Sequence, residues 1–312
     1  MNLKQLAKEL NLSISAVSKA LRDSHEISAA TKKAVLAKAK ELNFQVNPFA
    51  SSLRKQKSKT IALVIPEAAN NFLALVINGV ESIAQEKGYH VLIYLTHEDK
   101  EKEIAISKLL QNGRVDGIMV SLSGQTSDVS HLKELKDKEI PLVFFDRVAE
   151  QIDSPKVTTD DYRSGVKATE HLIENGCKRI AFLSISQTLS ISIKRMSGYL
   201  EALKMNGIKQ ENNLIVTCNG DEMKNNRIIR NLLRRKKRPD GIFASVEKLA
   251  ISTYEVCEDL KLNIPKDIKI ISFSNMQAAA LLNPSLTGNQ LVFQSYSLIT
   301  FYSGFFVYGT RM

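Results

Sequence analysis

Cysteine is scarce in this sequence, and the cysteines that occur do not form a pattern. Cys177, Cys218 and Cys257 are odd in number and widely separated in a chain of 312 residues. They fit neither a disulfide framework nor a set of metal ligands, so we interpret them as reduced thiols of a cytoplasmic protein. The five histidines show no metal-ligand spacing either. We therefore expect no metal and no cofactor.

Signals for catalysis and for membrane insertion are also missing. The sequence has no G-x-G-x-x-G or G-x-x-x-x-G-K-[ST] loop, no G-x-S-x-G elbow and no Cys–His signature, which gives an enzyme little support. The start, MNLKQLAKEL, carries charges every few residues, and we expect no secretory signal there. Residues 291–308 lack charge but are broken by Gln, Ser and Gly, so we expect no membrane span.

Positive charge is concentrated at the start of the chain. The whole sequence holds 43 Lys and Arg against 33 Asp and Glu, and residues 1–59 account for 12 and 4 of these. The first 59 residues therefore carry a net charge of +8, whereas the remaining 253 carry +2. A basic head on a nearly neutral body indicates a polyanionic partner for the head alone.

Three short amphipathic helices are predicted in this head. The apolar face of the first helix is made by Leu3, Leu6, Ala7 and Leu10. Ser13 can cap a second helix that runs to residue 21 or 22, and Ser28 can cap a third helix that ends at Asn43. The side chains expected to point inward from these two helices are Val17, Ala20, Leu21, Val35, Ala39 and Leu42.

The second helix has a polar and cationic outer face. This face carries Ser15, Ser18, Lys19 and Arg22. Two helices joined by a short turn, with such a face on the second, are typical of a helix-turn-helix that enters the major groove of DNA. The hydroxyls and Lys19 can hydrogen-bond to base edges, and Ile14 can contact a thymine methyl. The alternative is a plain packing module, which the charge asymmetry disfavours.

The body repeats a strand–helix unit. From Thr60 onward, short apolar strands alternate with amphipathic helices, which predicts parallel sheets in a doubly wound α/β fold. Ile61-Ala62 returns as Ile180-Ala181 after 119 residues, and Gly117-Ile118 returns as Gly241-Ile242 after 124 residues. Two further matches, at Gly88 and at Ile140-Pro141, follow the same offsets. The sequence therefore predicts two similar lobes.

Polar residues at the ends of these strands predict a site between the lobes. Ligands bind beyond the carboxyl ends of parallel strands, where lobe closure would bury them. Apart from residues 66–72, the groups at these ends are Ser121, Asp146, Arg147, Ser184, Ser245, Glu247, Ser274 and Asn275. Hydroxyl and amide ligands suit such groups. For Asp146 and Arg147, an ordinary surface ion pair remains the alternative.

The head resembles the DNA-binding headpiece of the LacI/GalR family of bacterial transcriptional regulators. The resemblance rests on the ungapped stretch LKQLAKELNLSISAVSKALRDSHEISAATKKAVLAKAKELNFQVNPFASSLR. It implies that Ile14, Ser15 and Ala16 read bases. It also implies that Ser18, Lys19 and Arg22 lie along the groove and its phosphates.

The segment NPFASSLR is similar to the hinge helix of that family. By this resemblance Asn47, Ala50, Leu53 and Arg54 contact DNA, with Leu53 wedged into the central base step of the operator. Phe49, Ala50 and Leu53 form one apolar stripe of a single helical turn. Because the segment is too short to be a stable helix alone, we expect it to fold on DNA.

The body resembles the effector-binding core of the same family, which is similar to periplasmic sugar-binding proteins. The matching stretches include PLVFFDR, VTTDDYRSGVKATEHLIENGCKRIAFL, KRMSGYLEAL and NIPKDIKIISFSN. The resemblance makes Arg195 the arginine that holds the effector, through a guanidinium fork suited to paired hydroxyls or a carboxylate. It assigns further cleft positions to Phe72, Asp146, Arg147, Asp160, Glu247 and Asn275. Glu247 stands where many members have Asp.

Two features depart from this pattern. Residues 288–312 contain no acid, and the resemblance ends at about Thr287, so we interpret them as an atypical tail left by a truncation or a frame change. The run Arg234-Arg235-Lys236-Lys237-Arg238 can be read as a second nucleic-acid patch. Its position at a predicted helix end before Pro239 favours a solvated helix end instead.

We therefore predict a multidomain protein with a helix-turn-helix headpiece (1–46), a hinge (47–59), an N-lobe (60–158), a C-lobe (159–287) and an atypical tail (288–312). The predicted function is a homodimeric repressor that binds a pseudo-palindromic operator and responds to a sugar or sugar derivative. Three alternatives stay open: a solute-binding protein without a DNA role, an α/β enzyme with an accessory DNA domain, and a damaged regulator with impaired dimerisation.

Overall fold

The computed structural model describes residues 3–44, 58–218, 221–274 and 284–288. The chain divides into two compact units, residues 1–58 and residues 59–312. Several positions singled out in the sequence lie outside the described residues: Asn47, Ala50, Leu53, Arg54, Asn275 and the tail from residue 289. In the described segments no helix is both long enough and apolar enough to cross a membrane.

The first unit contains the three predicted helices. They are α1 (Leu3–Glu9), α2 (Ile14–Ala20) and α3 (Ala29–Glu41). The predicted N-caps are confirmed, because Ser13 Oγ accepts from the Ala16 N–H at 3.0 Å and Ser28 Oγ accepts from the Thr31 N–H at 3.2 Å. Asn43 follows α3 with φ of 49°, the left-handed conformation that ends many helices.

A small apolar core holds the three helices together. Its buried members are Leu6, Ala7, Val17, Ala20, Val35 and Ala39. Leu21 and Leu42, which were expected inside the second and third helices, lie just past the ends of α2 and α3 and are half-buried against this core. The apolar periodicity therefore identifies the correct inward face of each helix but predicts α2 and α3 about one residue too long.

The first lobe of the second unit is built on a five-stranded parallel sheet in the order β2-β1-β3-β4-β5. Its strands are β1 (Thr60–Ile65), β2 (His90–Leu95), β3 (Gly117–Val120), β4 (Leu142–Phe145) and β5 (Lys156–Val157). Its helices are α4 (Asn71–Glu86), α5 (Lys100–Leu110) and α6 (Ser130–Asp137). Strand β1 is buried along its whole length, as expected for a central parallel strand.

The second lobe has a parallel sheet of the order β10-β9-β8-β6-β7. Its strands are β6 (Ile180–Ser184), β7 (Ile215–Thr217), β8 (Gly241–Ala244), β9 (Lys269–Ser272) and β10 (Thr287–Gly288). Its helices are α7 (Asp161–Glu174), α8 (Ser190–Met205), α9 (Glu222–Leu233) and α10 (Glu247–Asp259), with a 3-10 turn at Asn212–Leu214.

The two sheets repeat one topology, which confirms the internal repeat. Counted from its own first strand, each sheet has the strand order 2-1-3-4-5. The repeated dipeptides occupy equivalent places, because Ile61 pairs with Gly117 in the first sheet and Ile180 pairs with Gly241 in the second. The doubly wound α/β architecture predicted from the alternating pattern is therefore correct.

Helix α8 begins earlier than the apolar pattern indicates. The pattern predicts a start near Ile193, whereas the helix starts at Ser190. The N-cap residue, Leu189, makes no side-chain capping hydrogen bond. The Ser186 hydroxyl accepts from the backbone N–H groups of Thr188 and Leu189, just ahead of the helix. These contacts are not visible in the hydrophobic periodicity.

Candidate functional site

Helix α2 carries most of the residues predicted to contact DNA, whereas Arg22 lies past its end, after the C-cap Leu21. Ile14 is 46% exposed, and Ser15 and Arg22 are also exposed, while Ala16, Ser18 and Lys19 are half-buried. The cationic groups are held by neighbouring residues of the head. Arg22 donates from Nε to the Ser18 carbonyl and from Nη2 to the Ser18 hydroxyl, both at 2.9 Å. Lys19 forms an exposed ion pair with Glu26.

The two lobes of the body share their interior. One continuous apolar cluster includes buried side chains of both lobes, among them Leu122 and Val148 from the first and Ile185 and Leu189 from the second. A hydrogen bond from the Val148 N–H to Ser190 Oγ, 3.2 Å long, also crosses between them. The carboxyl ends of the strands in the two sheets therefore face a common space, which we call the cleft.

Asp146 lies in the cleft directly after β4. Its backbone adopts a left-handed φ of 56°, and its side chain is only 14% exposed. Among the described residues its carboxylate accepts one hydrogen bond, from Ser121 Oγ at 3.5 Å, and Nε of Arg147 is 3.9 Å away. Burial raises the pKa of Asp146, although the charges of Arg147 and Arg195 oppose that shift. Asp146 is thus a buried acceptor with few partners in the part of the chain that the structure describes.

Arg147, the next residue, is engaged by Glu98. Its Nη1 donates to both carboxylate oxygens of Glu98, at 2.9 and 2.8 Å, and to the Leu122 carbonyl at 3.3 Å. Glu98 also accepts from the Gly124 N–H. Burial favours a higher pKa for Glu98, but Arg147, the Gly124 N–H and Lys248 outweigh it, so the pKa lies below its ordinary value. Nη1 of Arg147 is therefore committed inside the first lobe, whereas Nε has no hydrogen-bond partner among the described residues.

Arg195 is likewise committed within the second lobe. Its Nε and Nη2 both approach Asp161 Oδ1 at 2.8 Å, and its Nη1 donates to the Ser245 carbonyl at 2.6 Å. The guanidinium also stacks over the Phe273 ring, with 3.9 Å between Cζ and the ring centroid. Three of its five N–H groups are thus used by the protein. Only the two remaining N–H groups are left for the predicted contact with an effector.

Three other predicted cleft residues, Asp160, Glu247 and Phe72, make contacts elsewhere. Asp160 is exposed and caps α7 by accepting from the Arg163 N–H at 3.0 Å, so its neighbour Asp161 is the buried acid. Glu247 accepts from the Ser274 hydroxyl. Phe72 is half-buried and packs against the apolar core of the first lobe.

Three buried polar atoms at the cleft have no hydrogen-bond partner among the described residues. They are Nε of Arg147, Oγ of Ser192 and Oγ of Ser245. Ser192 lies in the first turn of α8, and Ser245 directly follows β8. Buried polar atoms are normally paired, so such a group of orphans indicates a place where a polar ligand completes the hydrogen bonding.

A cavity of about 740 Å³ opens beside this polar centre. Glu98 links the two regions, because it lines the cavity and holds Arg147. The cavity is lined by Glu98, Gly124, Gln125, Ile185, Ser186, Gln187, Thr188, Thr217, Cys218, Asp221 and Lys248. Glu98 follows the end of β2 and Thr217 ends β7. Extending the strand-end argument to these two strands would have found both from sequence.

The chemistry of the lining is polar and not metal-binding. Within the described ranges, no three His, Cys, Asp or Glu side chains form a group that could hold a metal ion. Cys218 is buried at the cavity wall, and burial raises the pKa of its thiol to about 12. It stays neutral near pH 7 and contributes an apolar contact, not a nucleophile.

Comparison with known proteins relates this architecture to one family. The sequence model described as "Periplasmic binding proteins and sugar binding domain of LacI family" matches residues 58–296. Catabolite control protein A of Priestia megaterium is 29% identical over 287 residues, covering 90% of this chain and 85% of that protein. The ribose operon repressor of Halalkalibacterium halodurans is 30% identical over 285 residues, covering 91% and 83%. The crystal structure of the Lac repressor dimer bound to operator and the anti-inducer ONPF has a TM-score of 0.79 over 97% of this chain and 93% of that chain. At 19% identity, it shows the fold alone.

Proposed function

Because this chain belongs to the LacI family, we propose that it is a transcriptional repressor that binds its operator as a homodimer. A small effector raises or lowers its affinity for DNA. Both curated relatives named above are control proteins or repressors of transcription. In this proposal residues 1–46 read the half-sites of a pseudo-palindromic operator, residues 47–59 form the hinge, and residues 60–158 and 159–287 enclose the effector.

The observation that supports the effector site is the under-bonded polar centre of the cleft. Asp146 can accept from ligand hydroxyls, and the unpaired hydroxyls of Ser192 and Ser245 can donate or accept. The neighbouring cavity of about 740 Å³ is of the size that holds small molecules. A compound with several adjacent hydroxyls, such as a sugar or a sugar derivative, uses such groups better than an apolar one.

The effector can control DNA affinity only through a difference in its contacts between two states of the lobes. Its polar partners come from both lobes, Asp146 from the first and Ser192 and Ser245 from the second. A ligand that bridges them favours the arrangement in which they are closest. The hinge would transmit that preference to the head.

The effector assignment is tested by a panel of sugars, sugar phosphates and nucleobases against the full chain. Thermal unfolding identifies binders, since a ligand at 100 times its Kd adds about 2.7 kcal/mol to the stability of the folded state. Fluorescence anisotropy with DNA from the protein's own promoter region then measures the change in DNA affinity. We expect one compound class to change both quantities.

Variants sharpen this experiment. Ser245→Ala should weaken effector binding by roughly threefold to tenfold, the worth of one hydrogen bond. Ser197→Ala, an exposed serine on α8, should leave it unchanged. If a compound stabilises the fold but the protein binds no promoter DNA, the result would instead support a solute-binding protein. Turnover of the compound would support an enzyme.

Lys19→Ala is expected to weaken operator binding by roughly threefold to tenfold and to reduce the salt dependence of log K by about one. The loss follows from the removal of one phosphate contact. Glu26→Gln should shift affinity in the opposite direction, because it frees the Lys19 ammonium from its ion pair. Lys102→Ala, an exposed lysine of the first lobe, is the control. Unchanged affinity and unchanged salt slope in Lys19→Ala would remove this residue from the DNA interface.

A further inference from the structure

A strongly cationic surface lies at the amino ends of the strands in the second sheet, opposite the cleft. Four segments precede strands β6 to β9 there: residues 176–179, 207–214, 234–240 and 261–268. Together they hold ten Lys and Arg against three acids, a net charge of +7. Residues 60–312 carry +2 as a whole, so the rest of the body is negative. We call this surface the basic face.

Direct contacts join the four segments into one surface. Asp240 accepts from the backbone N–H groups of Lys178 and Arg179, at distances of 2.8 to 3.1 Å. Arg179 donates to the Lys237 carbonyl and pairs with Glu211 at 2.6 Å. These bonds tie the segment before β6 to the segments before β7 and β8.

Two more contacts complete the surface. Arg235 donates to the Asn213 carbonyl at 2.7 Å, and Arg238 lies 3.9 Å from Asp267, in the segment before β9. The run of five cations at residues 234–238 is therefore not an isolated helix end, as the sequence alone favours. It is the middle of a wider cationic surface.

Most cations of the basic face remain available to a partner. The ammonium groups of Lys178, Lys209, Lys236, Lys237 and Lys266 form no ion pair among the described residues, and all five side chains are exposed. Arg234 is also exposed. Each acid on the face is already used: Glu211 by Arg179, Asp240 by backbone N–H groups and Asp267 by Arg238 and the Asn263 N–H.

We propose that the basic face binds the phosphate backbone of double-stranded DNA without regard to sequence, as a second DNA contact beyond the proposed operator contact of the head. The charge fits a polyanion. None of the large exposed apolar side chains lies in the four segments, so the face lacks the anchors that a membrane or a peptide partner needs. The segments also contain no Phe or Tyr on which unpaired bases would stack.

The test uses the full chain with the head weakened by Lys19→Ala and Arg22→Ala, so that binding by the body is measured. The probe is a fluorescently labelled duplex of random sequence, titrated between 50 and 200 mM salt (roughly the range over which phosphate contacts are lost). In this background Lys236→Gln, Lys237→Gln and Lys266→Gln together should weaken binding at least tenfold. They should also lower the slope of log K against log salt by about two to three.

The matched control removes the same three charges from the first lobe, through Lys102→Gln, Lys108→Gln and Lys133→Gln, which are all exposed. It should change affinity less than twofold. Equal losses in both triple variants would mean that net charge alone matters, and no loss in either would leave the face without a DNA role; both results overturn the proposal. A third result would also overturn it: the first triple variant loses binding to anionic lipid vesicles while its binding to the duplex stays unchanged. Operator binding by the unmodified head is measured separately, so failure here leaves the proposed repressor function intact.

Discussion

Arg195→Ala is expected to lower the free energy of unfolding by about 3–5 kcal/mol, the typical effect of removing one partner from a buried ion pair. The side chains of Arg195 and Asp161 are only 8% and 1% exposed, and they are joined at 2.8 Å. Without the guanidinium, Asp161 is left as a buried and uncompensated charge, and the Ser245 carbonyl loses its donor. Equilibrium unfolding in urea measures the loss.

Two further variants test whether the loss of stability comes from the broken ion pair. Adding Asp161→Asn to Arg195→Ala should restore part of the lost stability, because the orphaned charge is then gone. Arg234→Ala, at an exposed position, should change stability by less than about 0.5 kcal/mol. A loss below about 1 kcal/mol in Arg195→Ala would contradict a desolvated pair. A weakened effector response in this variant therefore reports damage to the second lobe before it reports a lost ligand contact.

Asp146→Asn is expected to stabilise the fold near neutral pH and to abolish the effector response. Burial raises the pKa of Asp146, so its ionised form opposes folding. Asn removes that charge while keeping the shape and the left-handed backbone, which Asn tolerates well. Removing this unfavourable buried charge should therefore raise the free energy of unfolding near neutral pH. The same exchange removes the carboxylate that we propose as an acceptor for the effector.

The stability gained through Asp146→Asn is expected to depend on pH. Below the pKa of an unfolded aspartate, about 4, the carboxyl is protonated in both states and Asn brings no electrostatic gain. The gain appears as pH rises toward the raised pKa of the folded protein and is then constant. Urea unfolding of both proteins at about pH 4 and pH 7.5 measures it, with the exposed Asp137→Asn as control. An Asn variant less stable than the parent at the higher pH would show that the paired arginines favour ionised Asp146.

Local signals explain why the head and the lobes could be predicted so closely. A serine cap and an apolar stripe lie within a few residues of each other, so Ser13 and Ser28 identify two helix starts without tertiary information. The repeated dipeptides likewise identify equivalent strands. The start of α8 at Ser190 was missed, because the apolar pattern that marks this helix begins only near Ile193.

The cleft could be located from sequence, but its charge pairs could not. The strand-end argument finds Ser121, Asp146 and Ser245, because topology alone brings those ends together. It does not show that Arg147 is taken by Glu98, or Arg195 by Asp161, since each pair joins elements far apart in the chain. Which charges neutralise each other depends on side-chain packing and not on chain order.

The apolar cluster that spans both lobes limits how the body can move. Two lobes joined only by flexible connections can swing apart like a clam shell, whereas packed side chains resist separation because opening would expose apolar surface to water. Small sliding displacements keep such contacts and are the usual motion between packed layers. A shared interior therefore favours small sliding displacements of the lobes over a wide opening. An effector would then select one of a few closely spaced packing arrangements.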